Sequence, residues 1–489
     1  MKKLSLCGGW VRKYGILRRG IPAWAGPDVW PKRPMILAVA ALALAAPLHA
    51  EAVPKTLLFV DEHDILYRSG TKKVVHPLKK FPGNPVIAPD KPWEAMIGWN
   101  SQYRDPKSGK FQMWYQAYSG RGEEDKRLSS VVCYAESDDG KTWTKPALEL
   151  FPFFDEKQTN IVLAGAGGYG DRYSNSVVVD ERETDPAKRY KMTYYDWGAG
   201  SGPEDGPAMH VAFSPDGIHW TKHPGPVAPM MYGAKGHDAP FLEDGPFLEQ
   251  PEGKGRARKA WLIPLAAMSG ASDVFYDPLR ERFVTYGKLW IQGPDGAMGW
   301  KQGMGRMESE DFIAWTKPEL ILTPNDNDPP RLEFNNNPVF FHNGMYLCLN
   351  QIMDRTAGTV DAEFISSRDG FKWDRSFANQ PMIARGGEDA FDAGAILTNS
   401  TPIVVGEEMW FYYGAYRGPI SGGGPPSPPV PGNSDHRSGV GLATILKDRF
   451  VGIVPNADMV VNNNRKPEKL KKGELPKKVK RRLHFLTLT

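Results

Sequence analysis

The amino-acid sequence predicts an all-β protein, folded as a five-bladed β-propeller with four antiparallel strands in each blade. Three observations predict this fold: a β-rich local composition, a turn motif that recurs four times, and a strand–turn–strand unit that recurs five times. A β-sandwich is the alternative, but similar units spaced by several tens of residues favour radial repetition.

The first observation is the local composition. Many runs of five to eight residues are rich in Val, Tyr, Phe and Trp, and turn residues close them. Few stretches keep the i, i+3, i+4 apolar spacing of a helix. The 51 glycines and 43 prolines among 489 residues supply frequent turns. A chain of this length can form one large β domain.

The second observation is the turn motif, which combines Ser, an acid two residues later, usually Gly, and then Trp. Its four copies are SDDGKTWTK from Ser137, SPDGIHWTK from Ser214, SEDFIAWTK from Ser309 and SRDGFKWDR from Ser367. The Asp can accept bonds from backbone N–H groups just downstream, and Gly supplies a positive φ. The motif therefore predicts a tight hairpin, and Phe312 in the third copy predicts a local difference there.

The third observation is a strand, a polar turn and an aromatic strand upstream of each hairpin. The five units span roughly 90–150, 155–228, 235–325, 330–385 and 388–450. Each unit, with the strand that enters its hairpin, supplies the four antiparallel strands of a propeller blade. The last unit lacks the Trp hairpin, so we expect the opening segment KTLLFVDEHDILYRS to pair with it.

The two ends differ from the body of the chain. Residues 1–52 are predicted to be a leader with a secretory signal peptide, because Lys32 and Arg33 precede an apolar stretch from Met35 to Pro47. The propeller is predicted over 53–455. A basic, disordered tail is predicted over 456–489. The mature protein is therefore expected to be exported, to the periplasm or outside the cell.

The charge pattern excludes some partners. Residues 1–34 carry +7 and residues 465–489 carry +8, which leaves −11 on residues 35–464. An acidic body argues against a nucleic-acid groove. The apolar stretch of the leader is too short to span a bilayer. Cys133 and Cys348 lie in strand-like runs and are expected to be buried free thiols, with no disulfide framework.

Several motifs resemble a known group of proteins. They include LFVDEHDIL, NPVIAPDKPWE, YRDPKSGKFQMWYQAY, EFNNNPVF, FDAGAI and GLATILKDRF. The chain from 55 to 455 resembles exported bacterial proteins described as similar to the N-terminal domain of glycoside hydrolase family 32. More broadly it is similar to the five-bladed propeller glycosidases of families 32, 43, 68 and 117. The resemblance implies hydrolysis of glycosidic bonds, and a calcium ion in the central tunnel is possible by the same resemblance.

A glycosidase needs one carboxyl group that donates a proton and a second that attacks the anomeric carbon or activates water. In a propeller, such residues come from the start of the innermost strand of several blades. The predicted catalytic residues are Glu94, Asp171, Asp273 and Glu333, with the base or nucleophile expected among the first two and the acid among the last two. In contrast, Asp105, Asp180 and Asp277 recur at hairpins and are expected to form turns.

Further residues near these acids are predicted to bind substrate. They are Trp93, Tyr169, Arg172, His237, Asp238 and Asp392. Arginine can orient a sugar hydroxyl or carboxylate, and an aromatic ring can stack on a sugar. Core packing for the aromatic residues and a satisfied hydrogen-bonding role for His237 are the alternatives. No metal ligand is predicted and no cofactor is expected to be required.

The sequence therefore predicts an exported glycoside hydrolase that acts on a poly- or oligosaccharide. A carbohydrate-binding propeller without catalytic activity is the main alternative. A structural or protein-interaction propeller, and a lyase or phosphorylase on the same scaffold, also stay open, because one fold hosts many functions. The sugar, the linkage and the oligomeric state are not predicted.

Overall fold

The computed structural model divides the chain into two compact units, residues 1–55 and 56–489. The structure describes residues 56–167, 175–196, 208–229, 247–249, 262–264, 268–291, 301–420, 437–456 and 485–488. The predicted leader therefore lies outside the described residues. Within them the fold is all-β, and the helices are two short 3-10 turns at Lys126–Leu128 and Pro186–Lys188.

The described chain begins with three short strands: β1 (Ile65–Ser69), β2 (Thr71–Val75) and β3 (Lys79–Lys80). Sheet 1 follows, with β4 (Met96–Arg104), β5 (Phe111–Tyr118), β6 (Ser130–Ser137) and β7 (Ile161–Leu163). Its four strands pair antiparallel in sequence order. The first predicted unit is therefore one four-stranded sheet.

Two more sheets repeat this plan. Sheet 2 contains β8 (Ser176–Val179), β9 (Tyr190–Asp196), β10 (Ala208–Ser214) and β11 (Thr221–Lys222), with β12 (Ala228–Pro229) also paired to β10. A hairpin of β13 (Phe247–Glu249) and β14 (Leu262–Pro264) comes next. Sheet 3 contains β15 (Met268–Asp277), β16 (Arg282–Ile291), β17 (Lys301–Ser309) and β18 (Glu319–Leu322).

The last two predicted units share one ten-stranded sheet. The fourth group contains β19 (Leu332–Asn336), β20 (Val339–His342), β21 (Met345–Asp354), β22 (Thr359–Ser367) and β23 (Trp373–Asp374). The fifth group contains β24 (Ala395–Leu397), β25 (Ile403–Val405), β26 (Glu408–Tyr416) and β27 (Ser438–Leu446). A single parallel pair, Val360 with Ala395, joins the two groups.

Strands from both ends of the chain complete the fold. The outer strand of the fifth group is β3, which pairs with β27. Strand β28 (Val451–Pro455) pairs with β2, and β29 (Phe485–Leu488) pairs with β1. The opening segment thus pairs with β29 through β1, and it is a later strand, β3, that joins the fifth group itself. Four residues of the predicted disordered tail form a strand.

Apolar clusters fill the space between neighbouring groups of strands. Each cluster contains large side chains from two groups, as in the pairs Trp114 with Tyr190, Val211 with Phe283, Tyr286 with Tyr346, Leu347 with Phe411, and Trp410 with Phe111. The last pair joins the fifth group to sheet 1, where the Phe111 and Trp410 rings stack at 5.9 Å. Each group therefore packs on the next, and the fifth packs on the first.

The four Ser–Asp hairpins form as predicted. In each, the Asp carboxylate accepts two backbone N–H bonds from the second and third residues after it; the acids are Asp139, Asp216, Asp311 and Asp369. Phe312 takes the same left-handed backbone (φ +69°) as Gly140 does. The hairpin differs locally, as predicted, because the glycine N–H of each of the other three hairpins bonds the motif serine (2.8–2.9 Å), a bond that this described hairpin lacks. Burial of the Phe312 ring against Phe283 and Trp315 offsets the strain.

Gly217, the hairpin glycine of sheet 2, provides a test of how closely this hairpin packs on Trp114 of sheet 1. Gly217 has φ +81°, and a Cβ there would lie 2.5 Å from Cζ2 of Trp114. Gly225 has φ +76° with nothing within 4 Å of such a Cβ. We expect both Ala variants to lose about 1–2 kcal/mol from backbone strain. Gly217→Ala should lose a further ~1–3 kcal/mol from overpacking. Urea unfolding of the two variants measures this difference, and equal losses would contradict the packing.

Candidate functional site

A set of buried polar side chains lies on the first strand of each group or within three residues of its end. The set, called here the polar collar, consists of Asn100, Ser101, Asn175, Ser176, Asp273, Asn336, Asn337, Asn399 and Ser400. All of these side chains are buried. Buried polar groups cost free energy unless they are hydrogen-bonded, so the contacts of the collar show what it does.

Hydrogen bonds of the collar cross between sheets 1, 2 and 3. Ser101 Oγ accepts a bond from the backbone N–H of Val177 (3.0 Å), and Ser176 Oγ accepts one from Val274 (3.0 Å). The two serines occupy the same position relative to the neighbouring strand. This regular pattern holds the first strands of the three sheets side by side.

Further collar bonds join the fourth and fifth groups to sheets 3 and 1. Asn336 Nδ2 donates to Asp273 Oδ2 (2.6 Å), and the Ser400 hydroxyl donates to the Val274 carbonyl (3.2 Å). Gln102 Nε2 donates to Asn399 Oδ1 (2.9 Å), which joins sheet 1 to the fifth group. Hydrogen bonds of the collar therefore involve residues of all five groups.

A cavity of about 560 Å³ follows the collar along the same strands. Its lining begins at the residues directly after the collar, Gln102, Val177, Val274 and Thr401. Most of its other lining residues are apolar, such as Val179 and Ile403. The collar and this cavity are therefore neighbours along the chain.

Asp273 is the acid of the collar. Burial raises its pKa to about 7, although the hydrogen bonds from Asn336 and from the Ser400 backbone N–H (3.4 Å) act in the opposite direction. A carboxyl group with this pKa keeps a substantial protonated fraction near neutral pH. It can therefore donate a proton, as a general acid must.

Several collar atoms have no hydrogen-bond partner within the described part of the chain. They are Asn100 Oδ1, both amide atoms of Asn175, Asn336 Oδ1 and Asn337 Oδ1. Buried amide atoms are seldom left unpaired in folded proteins. Such atoms suit bonds with water or with the hydroxyl groups of a sugar.

The second buried acid, Glu333, lies on β19 beside three cations. Burial raises its pKa, while Arg355, Lys288 and Lys301 oppose the rise. Arg355 Nη1 lies 3.6 Å from Glu333 Oε2. Asn336, on the same strand as Glu333, donates to Asp273 on β15 of sheet 3. The two residues predicted to include the acid therefore lie on neighbouring strands, Glu333 on β19 and Asp273 on β15.

Glu94 has different surroundings from those expected of a catalytic group. Its carboxylate accepts bonds from the Tyr115 hydroxyl (2.6 Å), the Asp90 backbone N–H (3.0 Å) and Lys145 Nζ (2.6 Å). The side chain is completely buried. These three donors give Glu94 a role in holding the segment before β4 to sheet 1.

Trp93, which was predicted to contact a sugar, is buried in the core. Its ring packs against Phe153 at 6.0 Å, and its indole N–H donates to Asn160 Oδ1 (3.0 Å). These contacts agree with the alternative of core packing, and the sugar contact stays a prediction. The predicted turn acids are confirmed, as Asp105 accepts the N–H groups of Lys107 and Ser108.

Asp392 is buried and paired with a lysine. It accepts bonds from Lys80 Nζ (2.5 Å) and from the Tyr413 hydroxyl (2.9 Å). A cavity of about 830 Å³, called here the seam cavity, is lined by residues of 80–95, 386–392 and 437–438. Glu94 and Asp392 both contribute to its wall. The structure thus places Glu94 and Asp392 in the wall of one cavity, and the described lining of that cavity does not include Asp273 or Glu333.

The other predicted site residues lie outside the described residues. They are Asp171 among the catalytic candidates, and Tyr169, Arg172, His237 and Asp238 among the substrate-binding candidates. Their roles stay predictions.

The collar itself was not predicted, although the sequence carries a signal for it. A short Asn–Ser pair recurs in three units: WNSQ at 99–102, SNSV at 174–177 and TNST at 398–401. In the first two units, the Asn stands five residues before the turn acid, Asp105 or Asp180. Amides and hydroxyls stand out less in a sequence than charged residues do.

The described residues do not fit the calcium ion that the resemblance allows. Calcium takes six to eight oxygen ligands, usually with several carboxylates. The collar offers one carboxyl group, Asp273, whose oxygens accept N–H bonds. Within the described chain, no group of three or more His, Cys, Asp or Glu residues is placed to hold a metal.

Comparisons with known proteins were made by sequence and by structure. No protein-family model matches the chain, and no curated protein matches it. A solved structure described as "Glycoside hydrolase" is 13% identical, covers 82% of this chain and 96% of its own, and has a TM-score of 0.47. Glycoside hydrolases are thus among the proteins that this chain is similar to, as the sequence resemblance predicted.

Two further solved structures are similar to the chain. A thermostable family-43 glycoside hydrolase is 12% identical over 76% of this chain and 95% of its own, with a TM-score of 0.46. An N-acetylgalactosamine deacetylase from F. plautii, in complex with blood group B trisaccharide, is 15% identical over 78% and 97%, with a TM-score of 0.45.

Proposed function

We propose that the chain is an exported glycoside hydrolase, in which the five groups of strands are the blades of a five-bladed propeller arranged around the polar collar. The apolar clusters that join each group to the next, and the fifth to the first, support this closure. The apolar stretch from Met35 to Pro47 supports export. Among the described residues, none of the helices is long and apolar enough for a membrane span.

The observation that carries the proposal is the burial of Asp273 in the collar, with a pKa raised to about 7. In the proposed reaction, Asp273 donates its proton to the glycosidic oxygen as the bond from that oxygen to the anomeric carbon breaks. The unpaired amide atoms of Asn100 and Asn175 supply hydrogen bonds to sugar hydroxyls. A neutral acid among uncharged polar groups suits a leaving oxygen that develops negative charge.

Glu333 is the proposed second carboxyl group. It either removes a proton from the attacking water or attacks the anomeric carbon directly, and water then releases the sugar. In the first case the configuration at the anomeric carbon inverts, and in the second it is retained. The products are the two sugars with one water molecule added across the bond.

A carbohydrate-binding protein without catalytic activity is the second candidate. Two of the predicted site carboxylates are held in ion pairs, Glu94 with Lys145 and Asp392 with Lys80. Carboxylates held in this way favour the candidate without catalytic activity. In that case the collar binds a sugar and leaves it intact.

A screen of the purified protein against polysaccharides and aryl glycosides separates the two candidates. We expect hydrolysis of at least one glycoside, with loss of the activity in Asp273→Asn. Asp139→Asn, which changes an exposed hairpin acid, is the matched control and should keep the activity. Saturable binding of an oligosaccharide with no hydrolysis, for both the wild-type protein and Asp273→Asn, would favour the binding protein.

A further inference from the structure

Lys288 is a buried lysine between sheet 3 and the fourth group. It lies on β16 with 3% of its surface exposed, and its Nζ is 3.5 Å from Asn335 Oδ1. Asn335 and Glu333 are two residues apart on β19, and the pairing of β19 with β21 is irregular between Phe334 and Asn336. The ammonium group of Lys288 therefore lies beside the short stretch of β19 that carries Glu333.

The charged groups around Glu333 come from every strand that packs on β19. Lys288 comes from β16, Lys301 from β17, and Arg355 directly follows β21. The Gln302 backbone N–H also bonds the carboxyl group. From β15, the acid Asp273 bonds Asn336, three residues farther along β19.

We propose that Lys288 is a positioning residue, whose buried ammonium group keeps the Glu333 carboxyl group available as the second carboxyl of the reaction. This inference rests on the proposed function, because Lys288 acts on the reaction only if Glu333 is its second carboxyl group. Lys288 and Lys301 are both buried, with 3% and 7% exposed, whereas Arg355 is partly exposed at the end of β21. Lys288 is the most enclosed of the three cations, so water screens its charge least.

Glu333 and Lys288 each oppose the pKa shift that burial causes in the other. Burial raises the pKa of Glu333, and the charge of Lys288 opposes that rise. Burial also lowers the pKa of Lys288 to about 8, and the charge of Glu333 opposes that fall. Since coupling between two sites is reciprocal, each group must change the titration of the other. Removal of Lys288 should raise the pKa of Glu333, and removal of Glu333 should lower the pKa of Lys288.

NMR titration of the purified protein tests the coupling without any need for activity. The carboxyl carbon of Glu333 is assigned by its loss in Glu333→Gln, and the ε-carbon of Lys288 by its loss in Lys288→Met. We expect Lys288→Met to raise the pKa of Glu333 by about one unit or more. Lys288→Arg, which keeps the cation, should leave it nearly unchanged. Lys317→Met, which removes an exposed lysine of the same sheet, is the control.

The reciprocal measurement covers the case in which Lys288→Met does not fold. In Glu333→Gln, which keeps the shape of the side chain, the pKa of Lys288 should fall by a similar amount. Unchanged titration of both groups would overturn the proposal for Lys288. A glycoside that Glu333→Gln still hydrolyses at the wild-type rate would overturn the role of Glu333, even with the coupling present. With hydrolysis intact, Lys288→Met should move the acid limb of the pH profile of kcat/KM upward, and Lys288→Arg should restore it.

Discussion

Replacement of Asp273 by Asn is expected to lower kcat/KM for a glycoside by about 10²–10⁴-fold, the usual contribution of a general acid. The amide cannot donate an acidic proton to the leaving oxygen. The variant should still fold, because the side chain of Asn336 can turn its free Oδ1 toward the new amide. Steady-state kinetics on the glycoside identified by the screen measures the loss.

The pH dependence and the leaving group give this prediction a specific signature. Because burial raises the pKa of Asp273 to about 7, the acid form is lost as the pH rises through that value. The wild-type rate should therefore fall above about pH 7, and the fall should disappear in Asp273→Asn. A glycoside with a dinitrophenyl leaving group needs no proton, so the variant should keep most of its activity on it. An equal loss on both substrates would contradict the acid role.

Replacement of Arg375 by Ala is expected to cost about 3–5 kcal/mol of unfolding free energy. The guanidinium group bonds both carboxylate oxygens of Asp328 (2.8 and 2.9 Å) and both of Glu363 (2.8 and 3.0 Å). The three side chains are buried. Removal of the cation leaves two buried carboxylates without their partner, which is far more costly than the loss of one contact.

An exposed ion pair is the control for this measurement. Arg417 pairs with Asp389, whose side chain is almost fully exposed. Arg417→Ala should change the unfolding free energy by less than about 1 kcal/mol. Urea unfolding of both variants, followed by tryptophan fluorescence, gives the two values. A similar small change for both would show that the Arg375 network adds little to stability.

Much of the fold could be predicted because its signals are local. The Ser–Asp hairpins depend on a few adjacent residues, such as Asp139 and Gly140, whose preferences act within one turn. The left-handed backbone at Phe312 could not be predicted, because its ring is buried against Phe283, a residue of a different strand. Local propensity gives no information about such a contact.

The candidate site was harder to predict, because its chemistry depends on partners distant in sequence. Asp273 looks like any strand acid until the structure buries it beside Asn336, 63 positions away. Glu94 looks like a free acid until the structure pairs it with Lys145, 51 positions away. Both candidates could be chosen from the sequence, but only the packing shows how different the surroundings of the two carboxyl groups are.

The crystal structure of Asp273→Asn with a bound oligosaccharide substrate tests the central claim most directly. The account predicts a glycosidic oxygen within about 3.2 Å of the side chain at position 273. It also predicts sugar hydroxyls bonded to Asn100 and Asn175. A sugar bound in the seam cavity between Glu94 and Asp392, with no contact to the collar, would contradict the account.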